Sequence, residues 1–161
     1  MNTITLKTSK NEWLALGEGF LTNGSFMFKK EYLDTKKSNS DIVSMVNVCK
    51  EFIKNNGIYN TACDAPKCSR LIPDKIDGYV LNKTSVLVES KNLLLRVYRI
   101  FDDSDNEMNV YINERYAKMF DGFKLVTEKF DNKCTIKILD GVDLIGLLMP
   151  VDRRGFDDIT V

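Results

Sequence analysis

The side chains with the most reactive chemistry in this sequence are its four cysteines, Cys49, Cys63, Cys68 and Cys134. Cys63 and Cys68 could supply two thiolate ligands, but a structural zinc site usually needs four ligands. Cys49 and Cys134 are expected singly on a helix and on a strand, which makes a shared site with the other two unfavourable. The spacing therefore predicts reduced thiols and no bound metal, and no motif indicates a cofactor.

Catalytic and calcium-binding patterns are weak. The chain contains no histidine, which removes the commonest general base and the Ser-His and Cys-His nucleophile arrangements. Asp103, Asp105, Glu107 and Glu114 follow the spacing of a calcium loop, but Met108 stands where that loop needs a glycine for its sharp turn. We therefore expect a solvated hairpin loop at residues 102–107 and a protein that is not an enzyme.

Length and composition indicate an ordinary globular chain. Its 161 residues fit one domain, predicted over residues 1–151 with a C-terminal tail at residues 152–161. Lysine and arginine together number 23, and so do aspartate and glutamate, so any contact with nucleic acid must come from a local patch. Because neither a signal peptide nor a long apolar run is present, we expect a soluble, cytoplasmic protein without membrane contact.

The elements that must position functional side chains begin with a predicted helix at Asp41–Asn55. Ser40 is suited to cap it, and Gly57 is a natural stop. Lys50 and Lys54 lie one turn apart on its polar face. The apolar residues recur at the 3.6-residue period of a helix: Ile42, Met45, Val46, Cys49, Phe52 and Ile53.

The C-terminal third predicts a strand, a short helix and a three-stranded meander. The helix is expected near Asn113–Phe120, with Arg115 and Lys118 facing outward. The meander strands are expected at residues 124–130, 133–139 and 142–151, because Asp131-Asn132 and Asp140-Gly141 are tight-turn sequences. The fold class predicted from this order is α+β.

This last order of elements resembles the final half-domain of bacterial DNA sliding clamps, the beta subunit of the replicative polymerase. The residues that carry the resemblance are the strand at Asn109–Ile112, the helix, the meander and its closing Leu148-Met149-Pro150-Val151. Clamp domains contain two β-α-β-β-β halves, so the resemblance implies two such halves here. The segment from Tyr59 to Leu71 is loosely similar to a strand-turn-strand of the family, with Ala65 and Pro66 in place of its Gly-His.

The resemblance implies a clamp-like accessory protein of replication or of a mobile element, which binds DNA, replication proteins or both. Lys50, Lys54, Arg115 and Lys118 are then the expected contacts to DNA phosphates. A single domain cannot close a ring of six domains, so ring formation would require a homo-oligomer of six copies. Because four helix cations neutralise few phosphates, we expect only weak binding to double-stranded DNA.

The resemblance also implies a site for partner proteins. In clamps, the closing strand and an adjoining turn form an apolar pocket that captures peptide motifs of polymerases and other partners. The matching positions here are Met149, Pro150 and Val151, together with Lys67 and Leu71. The alternative hypothesis is a phage or plasmid-encoded inhibitor that binds a host protein, with the loop at residues 102–107 and the tail as contacts. The mass in solution distinguishes the two hypotheses. A hexamer would favour the ring, whereas a monomer or dimer would favour the inhibitor.

Overall fold

A computed structural model describes residues 2–61, 65–73, 77–152 and 159–160 of the chain. The chain divides into two compact units. Unit 1 comprises Met1–Asp74 and Ile145–Leu147, and unit 2 comprises Lys75–Leu144 and Leu148–Val161. The prediction of one domain over residues 1–151 stays a prediction, because this division does not say whether the two units fold together.

Unit 1 is built on antiparallel strands. Their order is β5-β4-β1-β2-β3, and every neighbouring pair in this series is antiparallel. Two-residue turns at Glu18-Gly19 and Asn56-Gly57 join β1 to β2 and β4 to β5, and both residues of each turn have positive φ. The elements are β1 (Leu14–Gly17), β2 (Phe20–Thr22), β3 (Phe26–Lys29), α1 (Ser40–Val48), β4 (Phe52–Asn55) and β5 (Ile58–Asn60), with short 3-10 helices at Lys30–Tyr32 and Cys68–Leu71.

The core of unit 1 forms where the strands and helix α1 bury their apolar side chains. Leu16, Phe28, Ile42 and Phe52 are completely buried. The N-terminal segment also belongs to this core, because the backbone N–H of Leu6 donates to Ser38 Oγ at 2.9 Å and Leu6 itself has no exposed surface. Such burial is the main stabilising contribution in a domain of this size.

Unit 2 contains the second helix and most of the remaining strands. Four strands form an antiparallel sheet in the order β13-β7-β8-β9, and β10 pairs with β6 on one side and β11 on the other. The centre of β12, Ile145–Leu147, belongs to unit 1. The elements are β6 (Tyr79–Val80), β7 (Asn82–Ser90), β8 (Leu93–Phe101), β9 (Glu107–Asn113), α2 (Glu114–Met119), β10 (Lys124–Thr127), β11 (Ile136–Asp140), β12 (Asp143–Leu148) and β13 (Ile159–Thr160).

The predicted helix at Asp41–Asn55 is too long. Helix α1 ends at Val48, and Cys49 already has an extended backbone with φ −113° and ψ 141°. Phe52–Asn55 forms strand β4, in which Ile53 pairs with Ala15. The prediction from the helical period failed here because Phe52 and Lys54 are buried, whereas Ile53 between them is only partly buried. Burial that alternates from one residue to the next is typical of a strand. Neither helix among the described residues is long and apolar enough to cross a membrane.

The predicted α+β class of two β-α-β-β-β halves is wrong. Strands make up 43% of the residues that the structure describes and helices 15%, with two α-helices among them, so this part of the protein is mostly β. The order of strand β9, helix α2 and strands β10 to β12 is present along the chain, but β9 pairs in a different sheet from β10 and β11. The sequence pattern identified the elements, whereas the pairing of β9 with β8 depends on contacts that no local pattern encodes.

Candidate functional site

Helix α2 is fixed to strand β8 by a buried ion pair. Arg96 Nε and Nη2 donate to Glu114 Oε2 and Oε1 at 2.8 and 2.9 Å, and Arg96 Nη1 donates to the carbonyl oxygen of Thr84 at 3.2 Å. Asn113 caps the helix, since its side-chain oxygen accepts from the backbone N–H of Arg115 at 3.0 Å. These bonds hold the short helix in one orientation despite its length of six residues.

The electrostatics of this pair follow from its geometry. The hydrogen bonds from Arg96 lower the pKa of Glu114, although burial acts in the opposite direction, and the nearby charges of Lys118 and Lys83 lower it further. The same hydrogen bonds raise the pKa of Arg96. Both groups are therefore charged at neutral pH, and the negative charge of Glu114 is neutralised within the fold.

Beside this helix, unit 2 has a cleft of about 170 Å³. One wall comes from β7 and β8, where Lys83 is the cross-strand partner of Tyr98, so both side chains lie on the same face. The other wall is the chain that leaves α2 and enters β10. We name this the unit 2 cleft, and its lining residues are Val80, Leu81, Lys83, Tyr98, Phe120, Asp121, Gly122, Phe123, Lys124 and Leu125.

The buried side chains that line the unit 2 cleft are apolar except for one hydroxyl group. Leu81, Phe120 and Leu125 are buried, as is Tyr98, which is only 5% exposed. The hydroxyl of Tyr98 makes no side-chain hydrogen bond with any residue that the structure describes. Burial, and after it the negative charges of Glu114 and Asp121, raises the pKa of Tyr98 to about 12. The phenol is therefore protonated at neutral pH and able to donate a hydrogen bond.

The rim of the unit 2 cleft carries opposite charges with a cationic excess. Lys83 Nζ lies 3.4 Å from Asp121 Oδ1, and the two side chains are 40% and 70% exposed. A pair this exposed contributes at most about 1 kcal/mol and opens readily. Lys124 also lines the cleft and is exposed, and Lys118 is exposed on the adjoining helix.

The four predicted DNA contacts do not form one surface. Lys54 lies in β4 and is 3% exposed, and its Nζ donates to Thr8 Oγ1 and to the carbonyl oxygen of Ser9, both at 3.1 Å. Lys50 is exposed between α1 and β4. Arg115 and Lys118 are exposed on α2, as predicted from the helical spacing. Thus Lys54 is a structural residue, and only Arg115 and Lys118 share a unit and a helix.

The predicted partner-binding residues also divide between the units. Met149 is 46% exposed, and Thr135 Oγ1 lies 3.5 Å from its sulfur. Pro150 and Val151 are half-buried, and the backbone N–H of Val151 donates to the carbonyl oxygen of Tyr111 at 2.8 Å. These three residues follow β12 in unit 2, whereas Lys67 and Leu71 belong to unit 1, where both are exposed.

Metal ligands are not clustered in the part of the chain that the structure describes. No group of three or more His, Cys, Asp or Glu side chains could hold a metal ion there. Cys49, Cys68 and Cys134 are free thiols, and burial raises the pKa of the Cys68 thiol. Cys63 lies outside the described residues. The absence of a bound metal stays a prediction.

Most of the residues that form the unit 2 cleft were not identified from the sequence. Tyr98 and Lys83 are brought together by the register of β7 and β8, which includes an irregularity between Lys83 and Leu87. The sequence signal for the cleft was the segment from Phe120 to Lys124, which contains two aromatic and two charged residues directly after a helix. That signal indicates inward aromatic rings but does not indicate what faces them.

Comparisons with known proteins return nothing to which this chain is similar. A scan against protein-family models, a search of curated proteins and a search of solved structures each found no match. The resemblance to sliding clamps therefore stays a prediction from the residues at 109–151, and the function must be argued from the site itself.

Proposed function

We propose that this protein is a non-catalytic binding protein and that unit 2 binds a partner protein at its cleft. The observation that carries the proposal is the combination of buried apolar side chains, a phenol without a described hydrogen-bond partner and a rim with excess positive charge. Protein interfaces have this arrangement of an apolar centre and a polar rim. The proposal keeps the part of the sequence hypothesis that concerns a protein partner, either a replication protein or a host factor.

The carboxylates with displaced pKa values, Glu114, Asp102 and Asp34, support a binding role over catalysis. Glu114 and Arg96 bond each other, and Asp102 accepts from the backbone of Ser104 and Asn106. Asp34 likewise accepts from backbone N–H groups. Each of these groups has a structural partner that accounts for its displaced pKa, so none is set apart as a general acid or base.

The cytoplasm is the compartment we propose for this protein. Cys49, Cys68 and Cys134 are unpaired thiols, which persist most readily in a reducing environment.

Affinity capture from the native cell tests the proposal. Replacing Lys118→Glu and Lys124→Glu together reverses one charge on α2 and one at the rim of the cleft, and no described hydrogen bond uses either lysine. The matched control is Lys36→Glu with Lys37→Glu, two exposed lysines of unit 1. We expect mass spectrometry to find one protein that the wild type and the control capture in equal amounts and the rim variant does not. Equal capture by all three chains, or no captured protein, would contradict the proposal.

A further inference from the structure

The size of the unit 2 cleft limits what can occupy it. Its volume of about 170 Å³ is below the roughly 300–1,000 Å³ of sites that hold cofactors or drug-sized ligands. It is close to the roughly 150 Å³ of an apolar cavity that accommodates a benzene molecule. The cleft therefore fits one leucine or phenylalanine side chain.

The hydroxyl of Tyr98 indicates that the occupant also has a polar group. Tyr98 is 5% exposed and lines the cleft, and none of the described residues accepts its phenolic proton. The hydroxyl is not one of the fully buried polar atoms that lack a partner, so it reaches the open side of the cleft, where a ligand can accept its proton. A peptide carbonyl next to the inserted side chain would accept this proton.

The charges around the cleft favour an acidic occupant. Lys83 and Lys124 are exposed and line the cleft, against the exposed carboxylate of Asp121, and Lys118 is exposed on the adjoining helix α2. Glu114 adds no net repulsion, because Arg96 neutralises it. An acidic side chain on the occupant can replace Asp121 as the partner of Lys83, since the existing pair is exposed and weak.

From these observations we infer that the unit 2 cleft is a docking site for an acidic peptide segment that inserts one phenylalanine or leucine side chain beside Tyr98. The inference rests on the proposed function and specifies the chemistry of the partner. Single-stranded nucleic acid fits less well, because its successive phosphates need a positively charged groove that follows the backbone, whereas the lysines that line the cleft are Lys83 and Lys124.

A synthetic peptide tests this inference directly. The probe is acetyl-Glu-Asp-Asp-Phe-Asp-Glu-amide, with a second peptide that has alanine in place of phenylalanine, each titrated into the ¹⁵N-labelled full chain. We expect the phenylalanine peptide to shift the backbone amides of Leu81–Lys83, Tyr98 and residues 120–125, with an affinity about tenfold above that of the alanine peptide. Equal affinity of the two peptides, or shifts located elsewhere, would overturn the inference.

Two variants separate specific docking from a change in the fold. Val80 lines the cleft and is 41% exposed, so Val80→Glu places a negative charge at the mouth without removing core packing. Val142, an 80% exposed valine in the turn before β12, supplies the matched control Val142→Glu. Peptide binding should be lost in the first variant and unchanged in the second. Loss in both, or in neither, would contradict docking at the cleft.

A further variant tests the hydroxyl. Tyr98→Phe keeps the ring and removes only the proton donor, and we expect a several-fold loss of affinity for the phenylalanine peptide. An unchanged affinity would exclude the hydrogen bond from Tyr98.

The outcomes of the two experiments remain distinguishable. If a partner protein is captured through Lys118 and Lys124 but the peptide does not bind, the proposed function stands. The inference that the partner inserts a phenylalanine or leucine side chain is then wrong. If the peptide docks but no protein is captured, the cleft is a peptide site and the proposed function fails. A single-stranded oligo-dT that shifts the same amides when the peptide does not would replace the peptide inference with nucleic-acid binding.

Discussion

At the residue scale, burial separates charged side chains that hold the fold from those available to a partner. Lys54 and Lys118 look alike in the sequence, because each was expected on the polar face of a helix. The Lys54 ammonium is buried against Thr8 and Ser9, whereas Lys118 is exposed. A buried ammonium needs hydrogen-bond partners, which Lys54 has, so its role is structural.

The ion pair between Arg96 and Glu114 should make the stability of the fold depend on pH. The pKa of Glu114 is lowered in the folded state, so its contribution to stability is present above the unfolded pKa of about 4.3 and is lost as the pH falls through the folded pKa. Arg96→Met leaves the Glu114 carboxylate nearly buried without its partner, and we expect the free energy of unfolding to fall by about 3 kcal/mol at pH 7.

Urea unfolding of both proteins at neutral pH and near pH 3 measures this effect. The difference between wild type and Arg96→Met should shrink at the lower pH, where the carboxyl group becomes protonated. Lys118→Met on the same helix is the control and should change stability by no more than about 0.5 kcal/mol. A difference that is equal at both pH values would show that the lost contribution is packing and not charge.

At the element scale, local sequence identified elements joined by tight turns and failed where a strand depends on distant partners. Helix α2 was predicted within one residue at each end, and β10 and β12 lie inside their predicted meander strands, whereas β11 extends one residue beyond its predicted end, to Asp140. The second half of the first predicted helix became β4, because Ile53 pairs with Ala15 and Asn60. The cleft was not predictable, since it requires the register that places Lys83 opposite Tyr98.

Close approach of backbones at Gly146 should make that position intolerant of any side chain. Gly146 is buried in the part of β12 that belongs to unit 1, and an added Cβ would overlap the carbonyl oxygen of Met27 and lie 2.9 Å from the Cα of Phe28. Because both neighbours are backbone atoms, the strands would have to move apart. We expect Gly146→Ala to lower the free energy of unfolding by about 3 kcal/mol.

Gly141 supplies the control for this prediction. It has a φ of +61°, and an added Cβ would meet no atom within 4 Å. Gly141→Ala should therefore cost only about 1 kcal/mol, the strain of a left-handed backbone. Thermal unfolding of both variants compares the two effects, and a larger loss for Gly141→Ala would contradict the account of the close approach.

At the scale of the whole molecule, charge is balanced overall but not evenly placed. The formal net charge is zero, so no long-range field attracts nucleic acid to the chain. The exposed cations of unit 2 include Arg115 and Lys118 on α2, with Lys83 and Lys124 at the cleft. This local patch offers few contacts to a DNA backbone.

Binding to double-stranded DNA should therefore be weak and only moderately sensitive to salt. Each phosphate neutralised contributes about −0.9 to the slope of log affinity against log salt concentration, so four cations predict a slope no steeper than about −4. Fluorescence anisotropy of a labelled duplex of about 20 base pairs, between about 50 and 200 mM salt, measures this slope. Lys118→Glu with Lys124→Glu should reduce it by about two, whereas Lys36→Glu with Lys37→Glu should leave it unchanged, because those lysines lie in unit 1. A slope steeper than about −5 would mean that more cations contact the DNA backbone than this patch contains, and the DNA-binding surface would then lie elsewhere on the chain.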